Sequence, residues 1–196
     1  FMWRHTPQAA RLVELSAELG ELIHVRSTFS HRLLDDADIR VDAALDGGSL
    51  MDVGCYCVSG ARLIAGEGPD LVYGQQVTTA DGVDRRFTGY LHFPSGLVAT
   101  FHSGFDSFSE SLEVTGRDGT VSLPDPWHSQ RGVLLVDGEE QSVEALNPYM
   151  CELDDMAAAI RGQRAPLLGR DDAVGQARVI EALYRSAEAG ASVSLG

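Results

Sequence analysis

The sequence predicts an α+β fold: a large, open, mostly antiparallel sheet with helices packed on one face. Apolar residues recur at helical spacing near both ends of the chain, while the middle, from Asp70 to Leu146, breaks into short β-type runs. Four turn pairs, Asp81-Gly82, Ser95-Gly96, Asp118-Gly119 and Asp137-Gly138, punctuate those runs. Aspartate or serine before glycine suits tight hairpins, which need a positive φ that glycine adopts without steric cost. Strands grouped apart from helices, rather than alternating with them, put the helices in one layer. The other sheet face then needs a cover, and a second copy of the chain is the expected one.

The elements follow in order. Pro7 opens a helix to about Leu19, with Ala10, Leu12, Val13, Leu15 and Leu19 at helical spacing before Gly20 interrupts. Leu22 to Ser30 is β-branched and aromatic, a strand. His31 to Gly48 is polar, turn-rich and long enough to be a functional loop. Ser49 is placed to cap a helix from Leu50 to Ala65 that Gly66 and Pro69 close. On it Leu50, Val53, Cys57, Ala61 and Ile64 share one stripe, and Asp52, Tyr56 and Ser59 another. The β-type runs are Leu71 to Thr79, Arg85 to Phe93, Leu97 to Phe105, Ser111 to Thr115, Thr120 to Leu123, Val133 to Val136 and Gln141 to Ala145, an antiparallel meander of six or seven strands. Val133 to Val136 and Leu97 to Phe101 offer apolar side chains to both faces, which motivates self-association. Helices from Pro148 to Gly162 and Asp172 to Ala189 close the chain, each with acids near its start to suit the helix dipole.

Composition narrows the function. A chain of 196 residues makes one domain, 1–196, and its formal charge of −14 argues against nucleic acid or an anionic membrane as partner. All 15 basic residues are arginine, which removes any phosphate-loop, Schiff-base or general-acid lysine. Cys55, Cys57 and Cys151 are too few for a disulfide scaffold, so a reducing cytoplasm is expected. Neither a membrane-length apolar run nor a signal pattern is present. The chain opens on Phe1, which is no translational start, so residues are expected upstream.

The chemistry concentrates in Gly47-Gly48-Ser49-Leu50-Met51-Asp52-Val53-Gly54-Cys55-Tyr56, a glycine turn into a helix with a carboxylate and a phenol one turn apart. A tyrosine there can exchange a proton with a substrate hydroxyl if a nearby cation lowers its pKa from about 10. The alternative is a buried tyrosine hydrogen-bonded to its neighbouring aspartate. Cys55 and Cys57 point to different sides of a helix and read as structural thiols, and the spacing of His24, His92, His102 and His128 suggests no metal. Trp127 is a candidate to line a loop near the substrate.

GGSLMDVGCYCV closely resembles the family of glucose-fructose oxidoreductase, inositol dehydrogenase and MocA proteins (Gfo/Idh/MocA). FMWRHTPQAARLVEL, DIRVDAALDGG, LVATFHSGF, LEVTGRDGTVSL and the segment from Asn147 to Ala187 extend the resemblance in order over essentially the whole chain. It is specific at Gly47 to Tyr56 and at Asn147 to Ala187 and generic elsewhere. The resemblance implies a C-terminal substrate-binding and oligomerisation domain, partnered by an N-terminal nucleotide-binding domain. It further implies a family Glu-Lys-Pro lysine working with Asp52 and Tyr56 as catalytic residues. Arg4 and His5 fall where the family passes its nicotinamide pocket, and Arg40 precedes the glycine turn. Each is a candidate for substrate binding, with a solvated surface residue as the plain alternative.

Glu-Lys-Pro and the Gly-rich fingerprint have no counterpart here. Gly66-Glu67-Gly68 follows a helix and runs into Pro69, which marks a helix stop and not a pyrophosphate site. The expectation is therefore half of an NAD- or NADP-dependent dehydrogenase, acting on a secondary alcohol or hemiacetal of a cyclic sugar, polyol or dihydrodiol. The chain alone is expected to bind no cofactor and to associate as a homo-oligomer such as a dimer. A non-enzymatic dimerisation or ligand-binding module that has lost its cofactor domain is the alternative. The missing nucleotide-binding half favours that alternative, and the intact Asp52–Tyr56 helix favours the enzyme.

Overall fold

The computed structural model describes residues 1–35 and 38–195, so Asp36 and Ala37 of the predicted loop, and Gly196, lie outside the described residues. A 3₁₀ turn, Met2–His5, leads into α1 (Pro7–Glu18), where the Thr6 hydroxyl accepts the Ala9 amide at 3.2 Å and caps the helix. Leu12, Leu15 and Leu19 enter the core, while Ala10 and Val13 of the predicted stripe turn outward.

The strands are β1 (Leu22–Ser30), β2 (Leu71–Thr78), β3 (Asp84–His92), β4 (Val98–Gly104), β5 (Ser109–Gly116), β6 (Gly119–Leu123), β7 (Val133–Val136), β8 (Glu139–Ser142) and β9 (Val193–Ser194). All four predicted turn pairs sit at hairpin corners, and Asp137 (φ 49°) with Gly138 (φ 86°) has the doubly positive φ of a type I′ turn.

The sheet is nevertheless not a plain meander. Its order is β8-β7-β6-β5-β1-β4-β3-β2-β9, with β1 inserted parallel to β4 and antiparallel to β5. His24 thus pairs with Val98 on one side and Thr115 on the other. The short β9 adds an edge beyond β2. Most pairs are antiparallel, and the helices cover one face.

That face takes α1, α2 (Cys55–Ala65) and α4 (Arg170–Ala189). Gly74 of β2 lets α4 come close: a Cβ there would lie 2.7 Å from the Leu183 carbonyl oxygen, and the Gly74 amide donates to Ser186 Oγ at 3.0 Å. Val25, Phe29, Phe87, Leu91, Ala99, Phe101, Leu112 and Val114 alternate inward from the central strands, joined by fully buried Trp3 and Trp127. Truncating one of these aromatic residues to alanine costs about 3–5 kcal/mol.

The opposite face is polar, contrary to the two-sided apolar reading of Leu97 to Phe101. Ala99 and Phe101 are buried, while Thr100 and His102 alternate with them toward the outer side. Cross-strand pairs run over this face: His24 Nε2 with Thr100 Oγ1 at 2.9 Å, Thr88 Oγ1 with His102 Nδ1 at 3.3 Å, and Arg26 with Glu113 at 3.1 Å.

α3 (Pro148–Ile160) departs from expectation twice. It has no acid in its first turn; the Asn147 side chain caps it instead, accepting the Tyr149 and Met150 amides at 3.0 and 3.3 Å. Its apolar stripe, Met150, Leu153, Met156 and Ile160, is more than half exposed, because the helix lies against the Met2–His5 turn rather than on the sheet. The first-turn acids of α4 are present as Asp171 and Asp172. Among the described residues no helix is long and apolar enough to cross a membrane.

Candidate functional site

The site begins at the predicted glycine turn. Gly48 has φ 147°, and a Cβ there would overlap Asp84 Oδ1 and crowd the Tyr184 hydroxyl. Asp84, buried at the start of β3, accepts Ser49 Oγ at 2.9 Å and the Leu50 amide at 2.8 Å through Oδ2, and the Tyr184 hydroxyl at 2.9 Å through Oδ1. The expected Ser49 cap is therefore replaced: Ser49 donates its hydroxyl, and Asp84, far away in sequence, satisfies the first free amide of the helix. Burial pushes the Asp84 carboxyl above the ordinary carboxylate range, against the pull of those three donors.

The helix does not start as a regular α-helix. Leu50–Gly54 forms a π turn, closed by the Cys55 amide donating to the Leu50 carbonyl, and α2 follows. The wide turn breaks the expected single exposed stripe. Ser59 is fully buried, Tyr56 is half-buried, and Asp52 faces the preceding loop. Asp52 lines a cavity of about 190 Å³ with Ile39, Arg40, Gly47 and Gly48, whereas Tyr56 lines a separate one of about 200 Å³ with Met2, Phe29, His128 and Tyr149. Such π turns recur at functional sites because they re-aim side chains.

Asp52 is held from two sides: His31 Nε2 lies 3.0 Å from Oδ2, and Arg40 Nε donates to the same oxygen at 3.0 Å. Arg40 Nη1 also reaches Asp38 Oδ1 at 3.3 Å. Asp52, with Asp38, raises the Arg40 pKa, and the Arg40 backbone amide, with its guanidinium, lowers that of the Asp38 carboxyl. His31 was not singled out from the sequence. Its one signal is its place as the first residue after β1, where the strand delivers it to the loop.

Tyr56 sits edge-on to Phe1 at 5.2 Å and to Phe29 at 5.3 Å, with Trp127 at 6.1 Å. Rather than bonding Asp52, its hydroxyl donates to Met2 Sδ at 3.6 Å. Burial is the main cause that pushes its pKa up to about 12, and Cys55, Tyr149, Asp52 and Glu152 add to it. Trp127 is fully buried behind Phe29, its Nε1 donating to the Thr28 carbonyl at 2.8 Å, so it backs the aromatic box instead of lining an open loop.

Of the three predicted substrate binders, Arg40 is brought to Asp52. Arg4 pairs with Asp172 on α4 at 3.0 Å, beside Arg62 on the same carboxylate oxygen at 3.4 Å. His5 lies 3.6 Å from Asp155 on α3, its pKa lowered by burial. Both thereby tie the Met2–His5 turn, whose Met2 walls the tyrosine cavity, to α3 and α4. Cys55 and Cys57 are free and buried, with thiols pushed up to about 12 by burial, which keeps them protonated and unreactive. Gly66 (φ 68°) ends α2 as expected, so Gly66-Glu67-Gly68 forms no strand-to-helix turn and does not fit a dinucleotide pyrophosphate.

Comparison with known proteins agrees with this architecture. Residues 7–122 match the family model of the GFO/IDH/MocA C-terminal domain. D-xylose 1-dehydrogenase (NADP(+)) 2 of Haloferax volcanii is 40% identical over all of this chain, which spans 63% of that protein. Human trans-1,2-dihydrobenzene-1,2-diol dehydrogenase is 32% identical over 68% of the chain and 40% of its own length. The crystal structure of aldose-aldose oxidoreductase from Caulobacter crescentus complexed with glycerol superposes with a TM-score of 0.90 at 28% identity, covering all of this chain and 62% of that one. The chain thus spans less than two thirds of the length of these relatives, and it belongs to the GFO/IDH/MocA family as that family's C-terminal domain.

Proposed function

We propose that this chain is the substrate-binding half of an NAD(P)-dependent oxidoreductase acting on a secondary alcohol or hemiacetal carbon of a cyclic sugar, polyol or dihydrodiol. The observation that carries the reading is the clamp on Asp52, where His31 and Arg40 both hold Oδ2 at 3.0 Å. A carboxylate fixed through one oxygen presents the other in a set direction, suited to accepting a substrate hydroxyl. Arg40 lies beside that position and binds a second hydroxyl. Arg4 and His5 contribute by holding the turn that walls the tyrosine cavity against α4 and α3.

Tyr56 exchanges the hydroxyl proton. With a pKa near 12 it holds that proton at neutral pH, so it becomes mobile only when a cation approaches the box. A chain without lysine has no side-chain ammonium to offer, and in this reading the cation comes from the nucleotide-binding half of the intact protein. No residue of this chain is assigned to the dinucleotide. The exposed apolar stripe of α3 supports the presence of such a half, since a contiguous patch of this kind commonly marks an interface. The sugar and diol substrates in the names of the relatives support the substrate class.

The test uses the full-length protein with NAD and NADP against D-xylose, a cyclic polyol and a trans-dihydrodiol. Turnover of at least one class is expected, with Tyr56→Phe lowering kcat by about 10² or more and leaving the melting temperature unchanged. Turnover of none of them, or full kcat in Tyr56→Phe across the pH range, overturns the reading. The 196-residue chain alone is expected to give no heat of binding with either dinucleotide.

A further inference from the structure

Glu110, Asp125 and His128 meet behind the aromatic box, apart from the Asp52 clamp. Glu110 lies on β5, and the other two lie in the loop after β6. One ligand-type atom from each falls within 4.8 Å of the others, and His128 Nδ1 is 3.0 Å from Glu110 Oε2. Asp125 is only 4% exposed. Its Oδ2 accepts the Gln130 and Arg131 amides at 2.7 and 2.9 Å, which fixes the carboxylate. Its Oδ1 is closed off from solvent and has no hydrogen-bond partner.

A carboxylate oxygen buried without a donor is costly, and here it adjoins a second carboxylate, so the cluster concentrates negative charge in a sheltered place. We propose that Glu110, Asp125 and His128 bind a divalent first-row transition cation of the Zn²⁺ class. One imidazole nitrogen and two carboxylate oxygens form a donor set that such ions accept, with a position left for water. A shared proton joins the two carboxylates and leaves the imidazole out; a cation satisfies all three groups together. The amides of Gln130 and Arg131 supply the outer contacts that orient a ligating carboxylate.

Access and adjustment are both available. The three residues line an open groove of about 550 Å³ with Phe108, Gln130 and Arg131. The His128 side chain is 44% exposed with its Nδ1 already aimed at Glu110, whose own side chain is 10% exposed, so an ion can enter from the groove with the ligands in place. The consequence reaches the tyrosine cavity. His128 packs edge-on against Phe29 at 5.6 Å and lines the cavity of Tyr56, so a bound ion fixes that wall and ties β5 to the loop after β6.

The test is calorimetric titration of metal-stripped, full-length protein with Zn²⁺ alone, and Co²⁺ absorption as a reporter of ligand geometry. One ion per chain is expected at micromolar or tighter affinity. His128→Ala and Glu110→Gln should each weaken it by about 10-fold or more, with loss of the Co²⁺ visible bands. His92→Ala, which removes a surface pairing with Asp70, should leave binding unchanged. His128 is exposed enough that its alanine variant folds, as a thermal melt will verify. Absence of stoichiometric binding, or unchanged binding in His128→Ala, overturns the proposal and leaves a shared proton between Glu110 and Asp125.

Discussion

Asp84 on β3 accepts the backbone amide of Leu50, 34 residues earlier, at 2.8 Å, and so the sheet itself caps the helix that carries Asp52 and Tyr56. The same carboxylate takes hydrogen bonds from Ser49 and Tyr184. Position of the site and stability of the core therefore depend on one buried group.

Asp84→Asn should destabilise the chain by about 2 kcal/mol or more, because an amide accepts through one oxygen where the carboxylate accepts through two. For a chain this long that lowers Tm by about 4–8 °C, measurable by calorimetry. Burial raises the Asp84 pKa in the folded state, so the folded chain holds this proton more tightly than the unfolded one. The corresponding stability is complete below the unfolded value of 3.8 and is lost as pH rises through the folded value. The gap in Tm between wild type and Asp84→Asn should accordingly be wider near about pH 4 than near about pH 8. A gap that widens toward neutral pH contradicts this.

Arg40→Leu and His31→Ala each leave Asp52 with one anchor. Both residues are partly exposed, so stability should change by no more than about 0.5 kcal/mol. In the full-length protein kcat/KM should fall by about 10-fold in each single variant, and the double variant should lose more than the product of the two. Steady-state kinetics on the four proteins decides this; strictly multiplicative losses mean that the two anchors act independently.

Tyr56 should remain protonated well past the ordinary phenol range. Its folded pKa is raised from 10.0 to about 12, so the stability tied to its neutral form is complete below pH 10.0 and is lost as pH rises through about 12. The alkaline ultraviolet difference spectrum at about pH 10.5 should be the same in wild type and Tyr56→Phe, with the missing tyrosinate absorbance emerging only near pH 12. A tyrosinate that disappears with Tyr56 below pH 10 shows that the box does not shield the hydroxyl.

The outer sheet face, carrying Arg26, Thr28, Thr88, Tyr90, Thr100 and His102, is proposed to be the self-association surface. Its polar cross-strand pairs call for a hydrogen-bonded interface rather than an oily one. Light scattering should show more than one chain per particle, and Thr88→Asp with Thr100→Asp should give monomers. A monomeric wild type at working concentration overturns the proposal.

Much of this fold was legible because turn chemistry is local. Each Asp-Gly or Ser-Gly pair marks a corner whatever surrounds it, and β1 and α2 follow from side-chain types within a few residues. Spatial order is a different kind of information: nothing in LIHVRSTFS states that β4 and β5 will flank it. The site divides in the same way. Asp52 and Tyr56 were recognisable from the helix start, but helical spacing assumes a regular helix and misses the π turn that parts their cavities, which begins where Asp84 accepts the Leu50 amide. His31 escaped because a loop histidine gains meaning only from the carboxylate that folds onto it. The stripe of α3 was legible as apolar, while its exposure depends on what lies beside the helix.

The insertion of β1 also sets a schedule for synthesis. This strand is the first of the sheet to leave the ribosome, yet His24 has no partner until Val98 and Thr115 have been made. Pairing over such separations is slow, since loop entropy is lost before any contact repays it. Val25 and Phe29, buried in the finished sheet, therefore stay uncovered until the later strands arrive. The β2–β3–β4 hairpins, whose contacts are local, are free to assemble first and wait as the template against which the oldest strand is finally laid.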